Sequence, residues 1–363
     1  MLRESFPLKF NLKTLPCKFP SPLIVVAMHT CGAPARLLTG GFPPVKGENI
    51  HEQMAFFSER LDYIRAILMQ EPRGHESSYG AVLLPPTTPE EDISCLFMHN
   101  TGYSSMCGHV SIAIGSLVRQ MNTSKVSIEA QTRLRLRTLA GVVHLDWSQS
   151  EATPTSVSCQ NVPSFCHSEI RVSLSNGFKI PVSISFGGNF YALINAENLS
   201  EKFYQLSILE LTEIGEDVLS QIDKSLNLSH PLDKSLTSTP LVMFYNLPGK
   251  TCGNTRVFTT WGYNKFDRSP CGTGASALVA YMHAKKQLSI GESYMIESVI
   301  GTLFHVQLIQ EIKIGPYQGV IPRISGESYI TGFNQVVVDP NDLLGKGLKV
   351  SPKILPDDIP VLT

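Results

Sequence analysis

Short apolar runs alternate with amphipathic stretches along the chain, and their spacing predicts a protein that mixes α-helices with β-strands. Residues 23–27, 81–84 and 94–98 are apolar runs of strand length. Residues 49–69 carry apolar side chains at helical spacing and charged side chains on the other face, which predicts one amphipathic helix. The apolar positions of this predicted helix are Met54, Phe57, Leu61, Ile64 and Leu68.

The same order of elements returns in the second half of the chain. Residues 207–226 again predict an amphipathic helix, with predicted strands before and after it. A Cys-Gly dipeptide follows each strand-helix-strand series, and its cysteines, Cys107 and Cys271, are 164 residues apart. The other predicted strands are 126–128, 134–136, 142–145, 170–174, 181–186, 241–245 and segments within 292–309 and 318–332.

This repetition indicates a tandem duplication into two pseudo-symmetric α/β lobes. We place an irregular, proline-rich lead-in at residues 1–21 and a first lobe, which carries Cys107, at 22–158 plus 328–363. The second lobe, which carries Cys271, is placed at 159–327. A site in the cleft between the lobes, with one cysteine from each, is the natural consequence.

The composition excludes several classes of function. The 363 residues are 42% hydrophobic and 17% charged, which is typical of a soluble globular protein. A net charge of −1 gives no reason to expect nucleic acid or an anionic membrane as a partner. Neither a membrane span nor a secretory signal is predicted, so the cytoplasm is the expected location. The eight cysteines are scattered without a Cys-x-x-Cys pair, so neither a metal site nor a disulfide framework is expected.

Two stretches carry the candidate chemistry. Residues 104–115 and 267–278 each place polar residues, then Cys-Gly, then small and apolar residues suited to a buried helix. Ser269 as a cap and Pro270 in the first turn favour a helix start at the second stretch. A cysteine at a helix N-terminus faces unpaired N–H groups and the positive end of the helix dipole, which favour its thiolate and bind a carboxylate.

These features suit proton transfer at the α-carbon of an amino acid. The α-proton is weakly acidic, so its removal requires a base, desolvation and stabilisation of the charge that develops on the carboxylate. One cysteine can remove the proton while the other delivers a proton to the opposite face, and no electron-sink cofactor is then required. Gly108, Gly272 and Gly274 let the backbone approach the ligand closely.

Four further residues each have more than one interpretation. His109 is either a substrate contact or a core histidine or metal ligand. Asp267 either accepts from a ligand ammonium or imino group or pairs with Arg268 at the surface. For both we prefer the ligand contact. Tyr79 and Trp261 are either walls of the pocket or plain core aromatic residues.

The chain resembles the proline racemase family, which includes 4-hydroxyproline epimerases and trans-3-hydroxyproline dehydratases. Two segments are similar to the two signatures of this family. They are Met-Cys-Gly-His at 106–109 and Asp-Arg-Ser-Pro-Cys-Gly-Thr-Gly at 267–274. The resemblance implies a diaminopimelate-epimerase-like fold, in which each lobe is a curved sheet around a central helix, and a cofactor-independent enzyme that is commonly a homodimer. It implies Cys107 and Cys271 as acid/base thiols, Gly108, His109, Asp267, Gly272 and Thr273 as ligand contacts, and Tyr79 and Trp261 as pocket walls.

The second cysteine bears on the type of reaction. The dehydratases of the family carry threonine where Cys271 stands, because their 3-hydroxyl group leaves and no second proton donor is needed. Cys271 therefore favours a racemase or epimerase that acts on proline or 4-hydroxyproline. The alternatives are a trans-3-hydroxy-L-proline dehydratase and a family member that binds an imino acid without turnover.

Some positions depart from the family pattern and leave the exact substrate open. Ala33 and Thr101 stand where the family has a carboxylate, and Trp261 stands where proline racemases tend to have phenylalanine. Arg323 and Glu327 exchange the usual charges, which predicts a salt bridge formed in reverse.

Overall fold

The structure is a computed structural model. It describes residues 22–121, 132–147, 156–199, 205–226, 228–234, 236–237, 240–247, 254–262 and 265–348. The predicted lead-in at 1–21 and the predicted strand at 126–128 lie outside these residues.

The first half of the chain forms strands, two short helices, further strands and a buried helix. The single helix predicted over 49–69 is wrong, because the chain leaves helical geometry at Leu61, where φ is −126°. The Asn49 side chain caps the first helix by accepting from the N–H groups of His51 and Glu52. The elements are β1 (Leu23–Thr30), β2 (Ala33–Gly40), α1 (Ile50–Arg60), α2 (Asp62–Met69), β3 (Tyr79–Leu84), β4 (Ile93–His99), β5 (Gly102–Ser104), α3 (Gly108–Met121), β6 (Arg133–Thr138), β7 (Gly141–Asp146) and β8 (Ser156–Gln160).

The second half repeats this series. The helix predicted over 207–226 is confirmed, and a reciprocal capping box between Ser207 and Glu210 fixes its start. Two strands that the sequence analysis did not predict, β11 and β13, complete the sheet. The elements are β9 (Ser164–Ser173), β10 (Lys179–Phe186), β11 (Phe190–Asn195), α4 (Ile208–Ser225), β12 (Leu241–Asn246), β13 (Thr255–Thr260), α5 (Gly272–Ala284), β14 (Ser293–Glu297), β15 (Leu303–Ile314) and β16 (Tyr317–Val336).

Strand pairing follows the same order in both halves. In the first, β2 pairs parallel with β3, β3 antiparallel with β4, β4 parallel with β6, and β6 antiparallel with β7. In the second, β11, β12, β13, β14 and β15 repeat this alternation step by step. The repetition is the pairing expected of a duplicated lobe. The residue boundaries of the lobes remain a prediction, since β16 runs across position 327 and pairs with β15, β8 and β9 as well as with β1.

Each lobe packs its strands around one helix. Helix α3 contacts β1, β2, β7 and β8, and α5 contacts β9, β10, β11 and β15. Residues 108–117 of α3 are all buried, as is nearly every residue of α5, so both helices are enclosed by their sheets. One cluster of buried apolar side chains extends through both lobes, and a smaller cluster lies under α1 and α2. Within the described residues, no helix has the length and apolar character that crossing a membrane requires.

Helices α3 and α5 meet at their N-termini. The contact is between backbones, because a Cβ atom placed on Gly108 would lie 2.8 Å from the Cα atom of Gly272, and the converse distance is also 2.8 Å. Only glycine fits on either side of this junction. Since each glycine directly follows a cysteine, the junction also brings Cys107 and Cys271 to one place.

We expect Gly272→Ala to lower the free energy of unfolding by about 1–3 kcal/mol, because the added methyl group meets backbone atoms that cannot rotate away. Urea denaturation measures this change. Gly332→Ala on β16 is the control, since its added Cβ atom would have its nearest neighbour at 3.5 Å. Equal unfolding midpoints for the two variants would contradict a close-packed junction.

Candidate active site

Cys107 and Cys271 directly precede α3 and α5, as predicted. The Cys107 carbonyl accepts from Ser111 N at 3.0 Å and the Cys271 carbonyl from Ala275 N at 2.6 Å, which are the first helical hydrogen bonds. The predicted helix start at Ser269–Pro270 is wrong, because Cys271 is the N-cap residue of α5 and has a φ of +61°. Ser269 instead accepts from Cys271 N through its hydroxyl oxygen, in the turn that leads into the helix. Such a positive φ is uncommon for a residue with a side chain.

Both cysteines are buried, and burial reverses the predicted direction of their pKa shifts. Each residue is 5% exposed. Loss of solvation raises the pKa of Cys107 well above its usual value and that of Cys271 to about 12. The N–H groups of Val110 and Gly274 do lower the two pKa values, as expected at helix N-termini, but by less than burial raises them. The predicted effect of the helix ends is therefore present, but burial outweighs it, and the net shift favours the thiol in the protein without a ligand.

Each sulfur has its own polar neighbour. The Cys107 sulfur lies 3.4 Å from Nδ1 of His109. The Cys271 sulfur lies 3.3 Å from the hydroxyl oxygen of Tyr191, which is also 2.6 Å from the Thr273 hydroxyl oxygen. The sequence analysis did not select Tyr191. The available signal was a phenol within the otherwise apolar strand β11, immediately after a Gly-Gly-Asn-Phe segment.

The residues predicted to line the pocket come together. The ring of Tyr79 packs edge-on against His109, with centroids 5.4 Å apart, and against Trp261, with centroids 6.3 Å apart. The Tyr79 hydroxyl donates to the hydroxyl oxygen of Ser104, three residues before Cys107. Burial is also the main cause that lowers the pKa of His109, which favours a neutral imidazole beside Cys107.

Asp267 lies at the centre of this group rather than at the surface. It is buried, and its carboxylate accepts from the backbone N–H and the hydroxyl group of Ser269, both at 2.8 Å. Its negative charge raises the pKa values of both cysteine thiols and of His109. The alternative pairing with Arg268 is not formed, because that guanidinium lies over the ring of Phe266, 4.6 Å from its centroid. Among the residues that the structure describes, no cation pairs with Asp267, and a buried carboxylate of this kind suits a positively charged ligand group.

Contacts between the lobes hold the two cysteine stretches in place. Asn189 donates through its side-chain amide to the Met106 carbonyl at 2.8 Å, and the Ser105 hydroxyl donates to the Gly188 carbonyl at 2.7 Å. Near the other cysteine, Phe266 N, five residues before Cys271, donates to the hydroxyl oxygen of Ser77 in the first lobe at 3.2 Å. Each lobe therefore positions the segment that precedes the other lobe's cysteine.

A cleft of about 480 Å³ opens between the lobes beside this group. Tyr79 and Trp261 line the cleft, while Cys107 and Cys271 are not among its lining residues. The aromatic pair therefore stands between the cleft and the buried thiols. Thr101 also lines the cleft. Among the residues described, no group of three His, Cys, Asp or Glu side chains is arranged to hold a metal ion.

The predicted reversed salt bridge between Arg323 and Glu327 is wrong. Residues four apart on one strand are separated by about 13 Å. Arg323 instead lies 4.0 Å from Asp146, and the Glu327 carboxylate accepts from the Tyr329 hydroxyl at 2.7 Å.

The two lobes share one strand-pairing order and meet where their Cys-Gly helix starts face each other. This architecture places the protein in the class of two-lobed isomerases with a diaminopimelate-epimerase-like fold. Comparison with known proteins narrows this class. The proline racemase family model matches residues 25–349. The chain is 35% identical to a proline racemase from Clostridioides difficile, over 91% of this chain and 98% of that protein. It is 36% identical to a trans-3-hydroxy-L-proline dehydratase from Bacillus cereus, over 88% of this chain and 95% of that protein.

A solved structure supports the same assignment. A hydroxyproline epimerase from Agrobacterium vitis with bound trans-4-hydroxy-L-proline superimposes with a TM-score of 0.81 at 27% identity, and the match covers 90% of this chain and 95% of that one. The chain therefore belongs to the proline racemase family, and its predicted fold class is confirmed.

Because burial raises the pKa of both thiols, we expect iodoacetamide to alkylate Cys107 and Cys271 slowly near neutral pH. As long as pH is below the thiol pKa, the alkylation rate should rise about tenfold for each unit by which pH is increased, since the thiolate is the nucleophile. Asp267→Asn should accelerate both reactions about two- to tenfold at a given pH, because loss of the nearby negative charge lowers the two pKa values. Peptide mapping by mass spectrometry resolves the individual cysteines.

The substitution keeps an oxygen that can accept from Ser269, so the turn before α5 retains its hydrogen bonds. Cys166 is an internal control, because burial is the main cause of its raised pKa and its neighbouring charges are Glu169 and Lys285. Unchanged alkylation of Cys107 and Cys271 in Asp267→Asn would contradict the inferred position of the Asp267 charge.

Proposed function

We propose that this protein is a cofactor-independent racemase or epimerase that inverts the α-carbon of proline or 4-hydroxyproline by two-base proton transfer. The observation that carries this proposal is the backbone contact between Gly108 and Gly272, because it brings two cysteines at two helix N-termini to one buried site. Membership of the proline racemase family supports the choice of substrate class.

The site offers one kind of group for each part of such a substrate. The first N–H groups of α3 and α5 have no helical acceptors, so they can donate to the substrate carboxylate. Asp267 can accept from the ring ammonium group. Tyr79, His109 and Trp261 can enclose the ring, with Thr273 and the two junction glycines as further contacts. These roles are inferred from position and chemistry.

Proton transfer follows from this arrangement. A thiolate on one face takes the α-hydrogen as a proton and forms an S–H bond, while the electron pair of the broken C–H bond spreads into the carboxylate. The helix N–H groups then stabilise the charge that develops on the carboxylate oxygens. The other cysteine delivers its thiol proton to the opposite face and becomes the thiolate. Because both cysteines are thiols in the free protein, one of them first loses its proton to solvent. After that step the roles exchange with substrate direction, and the two cysteines take up and deliver each proton.

A raised thiol pKa suits this chemistry. A thiolate whose conjugate thiol is weakly acidic is a stronger base, which the weakly acidic α-proton requires. The positive charge of a bound substrate would favour the thiolate, so base strength and ligand binding are coupled.

We further infer a homodimer located in the cytoplasm. Resemblance to the family supports the dimer, and light scattering in solution distinguishes it from a monomer. The six cysteines in the described part of the chain are all free, which suits a reducing compartment. Fractionation of the source cells tests the location.

A second candidate is dehydration of trans-3-hydroxy-L-proline. The dehydratase relative at 36% identity favours it, whereas Cys271 disfavours it because a dehydratase needs only the base. It would give a pyrroline product that a coupled dehydrogenase reduces. Binding of an imino acid without turnover is the third candidate, and tight binding of planar pyrrole-2-carboxylate without solvent exchange would support it.

We expect Cys107→Ser and Cys271→Ser each to reduce exchange of the substrate α-proton with heavy water by at least about 100-fold, because serine is a far weaker acid/base at these positions. The assay incubates L-proline, trans-4-hydroxy-L-proline and trans-3-hydroxy-L-proline separately in heavy water and analyses the products by chiral chromatography and mass spectrometry. Cys166→Ser is the matched control, since Cys166 lies on β9 and is half-buried. Full activity in either active-site variant would refute the two-base mechanism.

A further inference from the structure

The two cysteines are equally buried but differ in the group that faces each sulfur. Cys107 faces an imidazole, and Cys271 faces a phenol. A neutral imidazole has one nitrogen that accepts, so it can receive a thiol S–H. A phenol that keeps its hydrogen can donate to a thiolate, and hydrogen bonds to charged groups are the stronger kind. The pair is therefore chemically unequal.

The phenol is Tyr191 of β11, which is 1% exposed. Its hydroxyl oxygen is 3.3 Å from the Cys271 sulfur and 2.6 Å from the Thr273 hydroxyl oxygen. Each hydroxyl group has one hydrogen. When Thr273 donates to Tyr191, the phenol hydrogen is left for the sulfur. Burial raises the pKa of Tyr191 far above its usual value, so the phenol retains that hydrogen at any ordinary pH.

The first turn of α5 keeps phenol and sulfur in this position. A Cβ atom on Gly274 would lie 3.0 Å from both the Cys271 sulfur and the Cε1 atom of Tyr191, so both groups pack directly against the helix backbone. The tight packing fixes the positions of the phenol and the sulfur, since neither side chain has room to turn away.

The other groups around Cys271 either raise or lower the pKa of its thiol. Asp267 carries the nearby negative charge and raises the thiol pKa, and Cys107 and Tyr79 are the neighbouring titratable groups. The Gly274 N–H and the Thr259 side chain on β13 lower that pKa together with Tyr191. Of these groups, the Tyr191 hydroxyl lies within hydrogen-bond distance of the sulfur, at 3.3 Å.

We propose that Tyr191 is a positioning residue that donates its phenol hydrogen to Cys271, so that Cys271 ionises more readily than Cys107 and is the cysteine that supplies the thiolate. The assignment of base and acid rests on the proposed function, whereas the hydrogen bond does not. It follows that a substrate whose α-hydrogen faces Cys271 meets the base once Cys271 has lost its thiol proton to solvent. Its proton forms the S–H bond of Cys271, and the Cys107 thiol proton goes to the opposite face of the carbon.

The test is site-resolved alkylation of the full-length protein by iodoacetamide, without substrate, in the parent and in Tyr191→Phe. In the parent, Cys271 should react faster than Cys107. In Tyr191→Phe, alkylation of Cys271 should fall about tenfold at a fixed pH, because loss of one donor to a thiolate raises the thiol pKa by about one pH unit. The rate at Cys107 should not fall.

Tyr294→Phe on β14 is the matched control, because its hydroxyl group also lies 2.6 Å from a threonine hydroxyl, that of Thr255, and not from a cysteine. It should leave both alkylation rates unchanged. Thr273→Val keeps the phenol but removes the hydroxyl that directs its hydrogen, so it should slow Cys271 by less than Tyr191→Phe does. This second variant preserves the test if Tyr191→Phe does not fold.

The kcat and KM of Tyr191→Phe distinguish a role of the phenol in proton transfer from a role in packing alone. Tyr191→Phe should lower kcat for α-proton exchange about tenfold with little change in KM, since the phenol faces the sulfur rather than the substrate. A parent that turns over none of the three substrates would refute the proposed function while leaving the alkylation result valid. Unchanged alkylation of Cys271 in both variants would overturn the role of Tyr191.

Discussion

The site depends on two helix N-termini that point at each other. The positive ends of the α3 and α5 dipoles face across the Gly108–Gly272 contact, and two like ends at this distance repel unless negative charge lies between them. Asp267, a thiolate or a bound carboxylate can supply that charge. The lobes therefore hold two like dipole ends together, and a ligand that carries a carboxylate would reduce the repulsion between them. Extensive packing around both helices provides the energy that keeps them opposed.

Burial gives the cysteines their character more than the helix ends do. An exposed cysteine before a helix would be a better acid, whereas Cys107 and Cys271 are poorer acids because water is excluded from them. Exclusion of water also strengthens each interaction between the thiols, Asp267 and the helix amides. The same enclosure thus keeps the thiols protonated when no ligand is present and makes a thiolate, once formed, a strong base.

Much of this site could be predicted from the sequence, because its signals are local. The Cys-Gly steps mark helix starts, whereas the wall role of Tyr79 and Trp261 was implied only by the resemblance to the family. The break at Leu61 was missed because the hydrophobic pattern continues through it. The start of α5 was placed too early because Ser269 and Pro270 look like a helix cap and first turn. The direction of the thiol pKa shifts and the contact of Tyr191 with Cys271 arise only when distant strands enclose the helices, so no local pattern encodes them.

The pairing of β1 with β16 has a consequence for the order in which the chain can fold. β1 lies between β2 and β16, so residues near position 23 obtain half of their backbone hydrogen bonds from residues near position 336. Contacts so far apart in sequence form slowly because a long loop must close first. During synthesis, the first of the described strands must wait for the last of them before the two can pair. The two lobes therefore mature together, and the emerging chain carries an unpaired strand edge that a chaperone could shield until synthesis ends.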